Sequence, residues 1–210
     1  MIITNGKIVT WGDPNEILED KALLIQDGLI QEIGTEAELK ASHPSEEILD
    51  AQGQMVMPGL ICAHTHFYGA FSRGMAIPGE PARNFQEILA NLWWKLDKGL
   101  DEEGVKYSAL ALLADATRYG CTTVFDHHAS PNCIDGSLDI EAEAVQESGL
   151  RASLCYEVTD RDGEENALAG IRENGRFITG VRAGNYSSML RAHFGLHASL
   201  TVSDATLEKC

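Results

Sequence analysis

Positive charge is scarce in this sequence. It has 16 lysine and arginine residues against 32 aspartate and glutamate residues, which gives a formal net charge of −16. No cluster of basic residues offers the phosphate contacts that nucleic-acid binding requires. The composition therefore disfavours nucleic acid and anionic membrane surfaces as partners, although it says nothing about the fold.

Long apolar runs are also missing. No stretch of about 20 apolar residues could span a bilayer, and no charged and apolar segments of a secretory signal peptide occur. With 44% hydrophobic and 23% charged residues, the composition is typical of a globular protein of one or two domains. We therefore expect a cytoplasmic protein.

The five cysteines form no recognisable framework. Their number is odd, their spacing is irregular, and no Cys-x-x-Cys pair occurs. These features predict reduced thiols and argue against a structural zinc site. Cys62 and Cys155 lie in apolar runs, where a cysteine is typically a small core side chain rather than a metal ligand.

Two histidines follow a short apolar run. Residues 60–63 come after Pro58-Gly59 and are typical of a strand buried on both faces. His64 and His66 then stand two residues apart, which on a strand places both rings on one side, with Cα atoms about 6–7 Å apart. Such rings can share a metal ion at about 2.0–2.1 Å, whereas on a helix they would diverge by about 200°. The alternative is a pair of structural histidines at the mouth of the strand.

Short strands with turn signals between them fill residues 1–57. We expect two hairpins and two single strands, at residues 2–3 with 7–10, 22–25 with 29–34, 46–51, and 53–56. Antiparallel strands this short cannot form a stable hydrophobic core alone, so they predict part of a small β-sandwich.

Beyond residue 58 the pattern changes to alternating strands and helices. The expected strands are residues 60–63, 121–125, 151–158 and 190–196, and the expected helices are residues 85–96, 102–119, 140–148, 164–174 and 204–210. Alternation of this kind predicts parallel β/α units whose functional residues gather at the carboxyl ends of the strands. We therefore predict an α/β fold in which residues 58–210 form the first four units of a (β/α)8 barrel. Because an open half-barrel would expose a long edge, we expect the domain to be truncated at Cys210.

Residues 57–66, Met-Pro-Gly-Leu-Ile-Cys-Ala-His-Thr-His, resemble the first barrel strand of the amidohydrolase superfamily. Within it, the chain is most similar to the branch of cytosine and guanine deaminases and triazine hydrolases, and there to the aminohydrolases called SsnA. The resemblance implies that His64 and His66 are the first two ligands of one divalent metal ion, most often Zn²⁺ and sometimes Fe²⁺. Such an ion lowers the pKa of its bound water, which would then attack a C–N carbon of a heterocycle.

The resemblance also implies what this chain does not contain. The family completes its metal shell with a histidine on the fifth strand and an aspartate on the eighth, and its proton-transfer residues lie on the fifth and sixth strands. We therefore expect the catalytic residues to lie beyond Cys210 and the 210-residue chain alone to be inactive. The His43-Pro-Ser-Glu46 sequence imitates the fifth-strand pattern, but it precedes the barrel and is interpreted as coincidence.

A gap in the lysines bears on the number of metal ions. No lysine occurs between Lys106 and Lys209. Binuclear members of the superfamily bridge two metal ions through a carbamylated lysine on the fourth strand, so the resemblance favours the mononuclear subclass.

Several residues are candidates for substrate contacts. His197 ends the fourth strand and matches a histidine that contacts the substrate in the deaminase branch. Asp97 lies near the position of an acidic residue that relatives direct at the substrate, although the residues around it depart from the family pattern. One of the adjacent histidines 127 and 128 must face inward, and His128 is taken as the candidate. On a strand, His193 lies about 13 Å from His197, which is too far for both side chains to bind the same ion.

These observations predict that the parent protein is a metal-dependent hydrolase that deaminates a cyclic amidine or an aminated heterocycle. Its partners would be a small heterocyclic substrate and further copies of itself in a homo-oligomer. Two alternatives stay open. One is a catalytically silent scaffold that uses the barrel for assembly, and the other is a binuclear lactonase or phosphotriesterase in which a carboxylate replaces the bridging lysine.

Overall fold

The computed structural model describes residues 1–77 and 79–210. Residue contacts divide the chain into two compact units, Met1–Gly59 and Leu60–Cys210. Short strands dominate the first unit, whereas strands and helices alternate through the second. The predicted α/β class is confirmed.

The first unit contains two sheets. Its strands are β1 (Ile2–Thr4), β2 (Lys7–Val9), β3 (Ile17–Leu18), β4 (Ala22–Gln26), β5 (Leu29–Gly34), β6 (Ile48–Asp50) and β7 (Met55–Val56). They are arranged in the orders β5-β4-β1-β6 and β3-β2-β7. The second predicted hairpin is present, since β4 and β5 pair in antiparallel fashion. Asp27 and Gly28 between them have φ values of 52° and 74°, as a tight hairpin turn requires.

The first predicted hairpin is wrong. β1 pairs with β4 and β6, whereas β2 pairs with β3 and β7. The Asn5-Gly6 turn therefore carries the chain from one sheet to the other, and the Lys7 amide donates to the Gln54 carbonyl at 3.0 Å. A side chain at position 6 would meet Val56 Cγ2 at 2.6 Å, so glycine is required at this crossing.

A short helix in the first unit was not expected from the sequence. Helix α1 (Glu36–Ser42) begins with a capping box, in which Thr35 and Glu38 each bind the other's backbone amide. The Thr35-x-x-Glu38 spacing is the signal that could have revealed it. Leu39 is the buried residue of α1 and packs with the β1 and β4 residues Ile2 and Leu24.

Replacing the cap residue should weaken this unit. A Thr35→Ala substitution leaves the Glu38 amide without its 3.3 Å partner and should lower the free energy of unfolding by about 1 kcal/mol. Urea unfolding followed by circular dichroism would measure the change. Glu38→Gln is the matched control, because a glutamine oxygen can still accept at that position and its cost should be smaller.

The second unit is built on a parallel sheet. Its strands are β8 (Leu60–Thr65), β9 (Cys121–Asp126), β10 (Arg151–Leu154), β11 (Glu157–Val158), β12 (Leu190–Ala192) and β13 (Gly195–Leu196). The main sheet has the order β12-β10-β9-β8, and β11 and β13 form a separate parallel pair. The third and fourth predicted strands are therefore each interrupted, after Leu154 and after Ala192. Gly195 permits a close approach at the second break, because an added Cβ would lie 2.4 Å from the Tyr156 carbonyl oxygen.

Helices follow the strands along the chain. They are α2 (Phe85–Ile88), α3 (Trp94–Leu96), α4 (Glu102–Arg118), α5 (Ser137–Ser148), α6 (Glu164–Arg182) and α7 (Asp204–Lys209). The segment predicted as one helix over residues 85–96 is broken by a π-helical turn at Leu89–Trp93. The predicted end of a helix at Asn174 is also wrong. α6 continues through Gly175 because Phe177, on its next turn, is fully buried in the core.

Strand β8, which leads to the two histidines, is less buried than predicted. β8 pairs only with β9 among the described residues, so it lies at the edge of its sheet. As a result, the side chains of Leu60 and Ile61 are 41% and 65% exposed. The expectation of burial on both faces is therefore wrong for this structure. Across residues 1–77 and 79–210, no helix has both the length and the hydropathy needed to cross a bilayer.

Candidate metal centre and cavity

His64 and His66 lie together at the carboxyl end of β8. His64 is in the strand and His66 directly follows it. Their ring centroids are 4.9 Å apart and the rings are perpendicular. The spacing of two residues has placed both imidazoles on the same side, as the extended backbone requires.

One ring nitrogen of His66 is fixed by a backbone contact. Its Nδ1 atom lies 2.6 Å from the carbonyl oxygen of His127. A carbonyl oxygen can only accept, so Nδ1 must carry the hydrogen and Nε2 keeps its lone pair. Burial lowers the pKa of His66 to about 4, which keeps the ring neutral at pH 7. A neutral imidazole with one oriented lone pair is the form that binds a metal ion.

His127 is a third imidazole at this position. Its ring centroid is 5.7 Å from those of both His64 and His66. Burial lowers the pKa of His127 to about 3, so this ring is also neutral. The sequence predicted that one of the two adjacent histidines would face inward, and the structure shows that His127 is the one that lines the cavity.

The prediction that His128 contacts the cavity is corrected by the structure. His128 is fully buried on the other side of the backbone, where its Nε2 lies 2.9 Å from Ser130 Oγ. The Ser130 hydroxyl donates to the Cys133 carbonyl at 2.5 Å, so His128 Nε2 must donate to Ser130. Its Nδ1 then directs a lone pair towards Glu141 Oε1, 2.7 Å away.

Two buried carboxyl groups complete the surroundings of His128. Asp126 and Glu141 are both buried, and burial raises the pKa of each well above its ordinary value. Asp126 Oδ1 accepts a hydrogen bond of 2.6 Å from the Phe67 amide. Because Phe67 directly follows His66, this bond anchors the backbone beside the His64 and His66 imidazoles.

A cavity of about 390 Å³ opens in front of His64, His66 and His127. Its apolar wall consists of aromatic and aliphatic side chains, namely Tyr68, Phe85, Leu89, Trp93, Trp94 and Leu196. Besides His64, His66 and His127, its polar residues are Asp97, Glu157 and His197. A concave, mostly apolar site with a few convergent polar groups is typical of a pocket for a small organic ligand.

Glu157 is the cavity residue that the sequence interpretation missed. Its carboxylate oxygens lie 3.6 Å from His127 Nε2 and 3.6 Å from His197 Nε2. Burial raises the pKa of Glu157 to about 8, and the Arg161 guanidinium opposes this shift. The available signal was one glutamate inside the apolar run at residues 154–158, since a charged residue is rarely buried without a partner.

Asp97 lines the cavity but is already paired. Arg161 Nη2 lies 2.5 Å from Asp97 Oδ2, and both side chains are almost fully buried. The same guanidinium lies 5.4 Å from the centroid of the Trp94 ring. Burial raises the pKa of Asp97, and the hydrogen bond and charge of Arg161 counteract that rise. The structure therefore pairs Asp97 with Arg161. A substrate role for Asp97 stays a prediction.

A model of the amidohydrolase family matches residues 55–210, which is most of the chain and all of the unit that carries the site. The chain belongs to the amidohydrolase family. The predicted resemblance is thus confirmed.

This amidohydrolase is similar to curated deaminases along its whole length. It is 31% identical over 210 residues to a 5'-deoxyadenosine deaminase of Methanosarcina barkeri. It is 32% identical over 205 residues to a 5-methylthioadenosine/S-adenosylhomocysteine deaminase of Pyrococcus furiosus. The chain covers 45% of the first relative and 44% of the second, so it spans less than half the length of the proteins it matches.

Solved structures show the same fold. A guanine deaminase from C. acetobutylicum with bound guanine matches 99% of this chain and 48% of its own, with a TM-score of 0.80 at 17% identity. The atrazine chlorohydrolase TrzN from Arthrobacter aurescens TC1, complexed with zinc, matches 99% of this chain and 49% of its own, with a TM-score of 0.76 at 19% identity. At these identities the likeness supports the fold of the chain.

The donor atoms present suit a divalent metal ion. His64 and His66 offer two imidazole rings on one side of the strand end, and the Nε2 lone pair of His66 is oriented by the bond to His127. Imidazole nitrogen is a common ligand of Zn²⁺. The pair supplies two ligands, which is fewer than the four of a usual zinc site.

Proposed function

We propose that this chain belongs to a metal-dependent amidohydrolase that hydrolyses a C–N bond in an aminated heterocycle and releases ammonia. The observation that carries the proposal is the His64 and His66 pair at the wall of an aromatic-lined cavity, in a chain whose curated relatives are deaminases. Zn²⁺ is the ion that best suits imidazole ligands of this kind.

The cavity residues that carry the proposal have separate parts in it. His64 and His66 would hold the divalent ion, and the His127 carbonyl would keep His66 in the required tautomer. The chemistry that such an ion supplies when bound is the activation of water at neutral pH. Tyr68, Trp93 and Trp94 would contact the faces of a flat heterocycle and exclude bulk water.

Two polar groups would orient the heterocycle. Glu157 and His197 face each other across 3.6 Å, and both line the cavity. With a pKa raised to about 8, the Glu157 carboxyl group can accept or donate a hydrogen bond near neutral pH. This property suits a ring that presents both amino groups and ring nitrogens.

The proposal predicts metal binding without turnover for the 210-residue chain. The resemblance implies that a fifth-strand histidine and an eighth-strand aspartate complete the metal shell, and this chain spans less than half the length of its relatives, so a cation held by His64 and His66 alone would lack its remaining ligands. Zn²⁺-loaded protein should release no ammonia above background from adenine- or guanine-containing compounds, measured by a coupled ammonia assay. Ammonia release that depends on His64 and His66 would show that the site is complete within these residues and would contradict this expectation.

A further inference from the structure

Three potential metal ligands meet beside the cavity. They are His127, Cys155 and His193, and each offers one ligand atom that lies within 4.8 Å of the other two. Cys155 Sγ is 3.3 Å from His127 Nδ1. In a tetrahedral zinc site with bonds of about 2.3 Å to sulfur and about 2.0–2.1 Å to nitrogen, neighbouring sulfur and nitrogen ligands are about 3.5 Å apart. This pair is therefore already at the spacing of metal ligands.

The parallel sheet explains why these residues meet. His127 directly follows β9, Cys155 directly follows β10, and His193 directly follows β12. These three strands are neighbours in the order β12-β10-β9, and Leu154 pairs with Ala192 in register. The first residue beyond each strand thus reaches the same end of the sheet. The fold brings the three side chains together, whereas the sequence separates them by 28 and 38 residues.

Each imidazole has a polar side chain beside its second ring nitrogen. His127 Nε2 lies 3.6 Å from Glu157 Oε2, just beyond hydrogen-bond distance, and its Nδ1 lies 3.3 Å from the cysteine sulfur. His193 Nδ1 lies 2.9 Å from Ser153 Oγ, and in the tautomer in which Nδ1 donates to that hydroxyl the other ring nitrogen carries the lone pair that can bind a metal ion. Metal-bound histidines usually direct their second nitrogen to a carboxylate or another acceptor in this way.

The other compact cluster in the described residues is a poorer site. Asp126, His128 and Glu141 also place ligand atoms within 4.8 Å of one another. However, His128 Nδ1 and Glu141 Oε1 are only 2.7 Å apart, whereas two ligands of a tetrahedral ion with bonds of about 2.0 Å are separated by about 3.3 Å. A shared proton fits that distance and a metal ion does not.

We propose that His127, Cys155 and His193 form a second metal site, which takes a thiophilic divalent cation such as Zn²⁺ and is separate from the His64 and His66 pair. Binding forms a metal–sulfur bond in place of the S–H bond, and the thiol proton is released to solvent. Burial raises the pKa of the Cys155 thiol, so without a cation the sulfur is protonated and this proton release can be measured. The assignment revises the interpretation of Cys155 as a core residue only.

Cobalt binding tests the proposal directly. Co²⁺ occupies zinc sites and shows a thiolate-to-cobalt charge-transfer band in the near ultraviolet only when sulfur is a ligand. Titration of the 210-residue chain with Co²⁺ should produce this band and release one proton per thiolate bound. Cys155→Ser and, independently, His193→Ala should abolish the band or weaken the affinity at least ~100-fold, and Ser153→Ala should weaken it ~10-fold.

Two further variants separate this site from the rest of the molecule. Cys121→Ser removes a thiol at the opposite end of β9, about 20 Å from His127, and should leave the band unchanged. The His64→Ala/His66→Ala double variant should also keep it, so that failure of the proposed hydrolase centre and failure of this site are distinguishable. No band in the native chain, a band that survives Cys155→Ser, or a band that depends on His64 and His66 would each overturn the proposal.

Discussion

A His64→Ala/His66→Ala double variant is expected to lose one equivalent of bound Zn²⁺ per chain. The two rings lie with centroids 4.9 Å apart and are the ligands that the proposed catalytic ion has in this chain. Loss of partners that only orient a ligand costs about 10–100-fold in metal affinity, so removal of the ligands themselves should cost at least ~100-fold. Equilibrium dialysis with measurement of bound zinc would quantify the change.

The matched control for this variant is His43→Ala. His43 lies in the first unit, 3.6 Å from a Glu32 carboxylate oxygen and outside the cavity. The substitution removes an imidazole without altering the pair at the end of β8, so zinc content should not change. Equal zinc content in the double variant and the native chain would show that His64 and His66 do not bind the ion.

An Arg161→Ala substitution is expected to have the largest effect on stability. The guanidinium pairs with Asp97 at 2.5 Å, and the two side chains are 7% and 1% exposed. Removing one partner of a buried ion pair leaves the other charge uncompensated and should lower the free energy of unfolding by about 3 kcal/mol. Lys209→Ala is the control, because its ion pair with Glu164 is exposed and should contribute less than about 1 kcal/mol.

This effect should depend on pH in a defined direction. Asp97 has a folded pKa above its ordinary value of 3.8, and Arg161 is the group that limits the rise. Without Arg161 the folded pKa rises further, so the variant loses stability as pH increases through and above 3.8. The difference from the native chain should therefore be small near pH 4 and largest at pH 7.

Urea unfolding at the two pH values would measure that difference. An Asp97→Ala/Arg161→Ala double variant should recover part of the loss at pH 7, because the buried Asp97 carboxylate is then absent as well. A loss of stability that is the same at pH 4 and pH 7 would show that packing of the Arg161 side chain, rather than its charge, stabilises the native state.

The local geometry of the two histidines was predictable because it depends on the backbone alone. A spacing of two residues on an extended segment fixes the side to which both rings point. The same principle could not decide between His127 and His128, since adjacent residues on a strand always alternate. That choice depends on what each face meets, and the partner of His128 Nδ1 is Glu141, which lies 13 residues away on α5, where local patterns do not connect the two. Metal binding by His64 and His66 stays a prediction.

Contacts between distant residues explain most of the remaining differences. Asn5-Gly6 has the local signature of a hairpin, but the Lys7 amide binds the Gln54 carbonyl and β2 joins the other sheet. Gly175 has the signature of a helix end, but burial of Phe177 keeps α6 intact. Glu157 was missed because its two histidine partners lie 30 and 40 residues away in the sequence. In each case tertiary packing outweighs a local preference.

Metal binding by His64 and His66 is tested most directly by a crystal structure of the Zn²⁺-loaded chain with anomalous scattering measured at the zinc absorption edge. We expect an anomalous peak at the end of β8, with His64 and His66 nitrogens about 2.0–2.1 Å from it and the His66 Nδ1 bond to the His127 carbonyl preserved. An ordered pair of imidazoles with no peak between them, at a zinc concentration that saturates the protein, would contradict it.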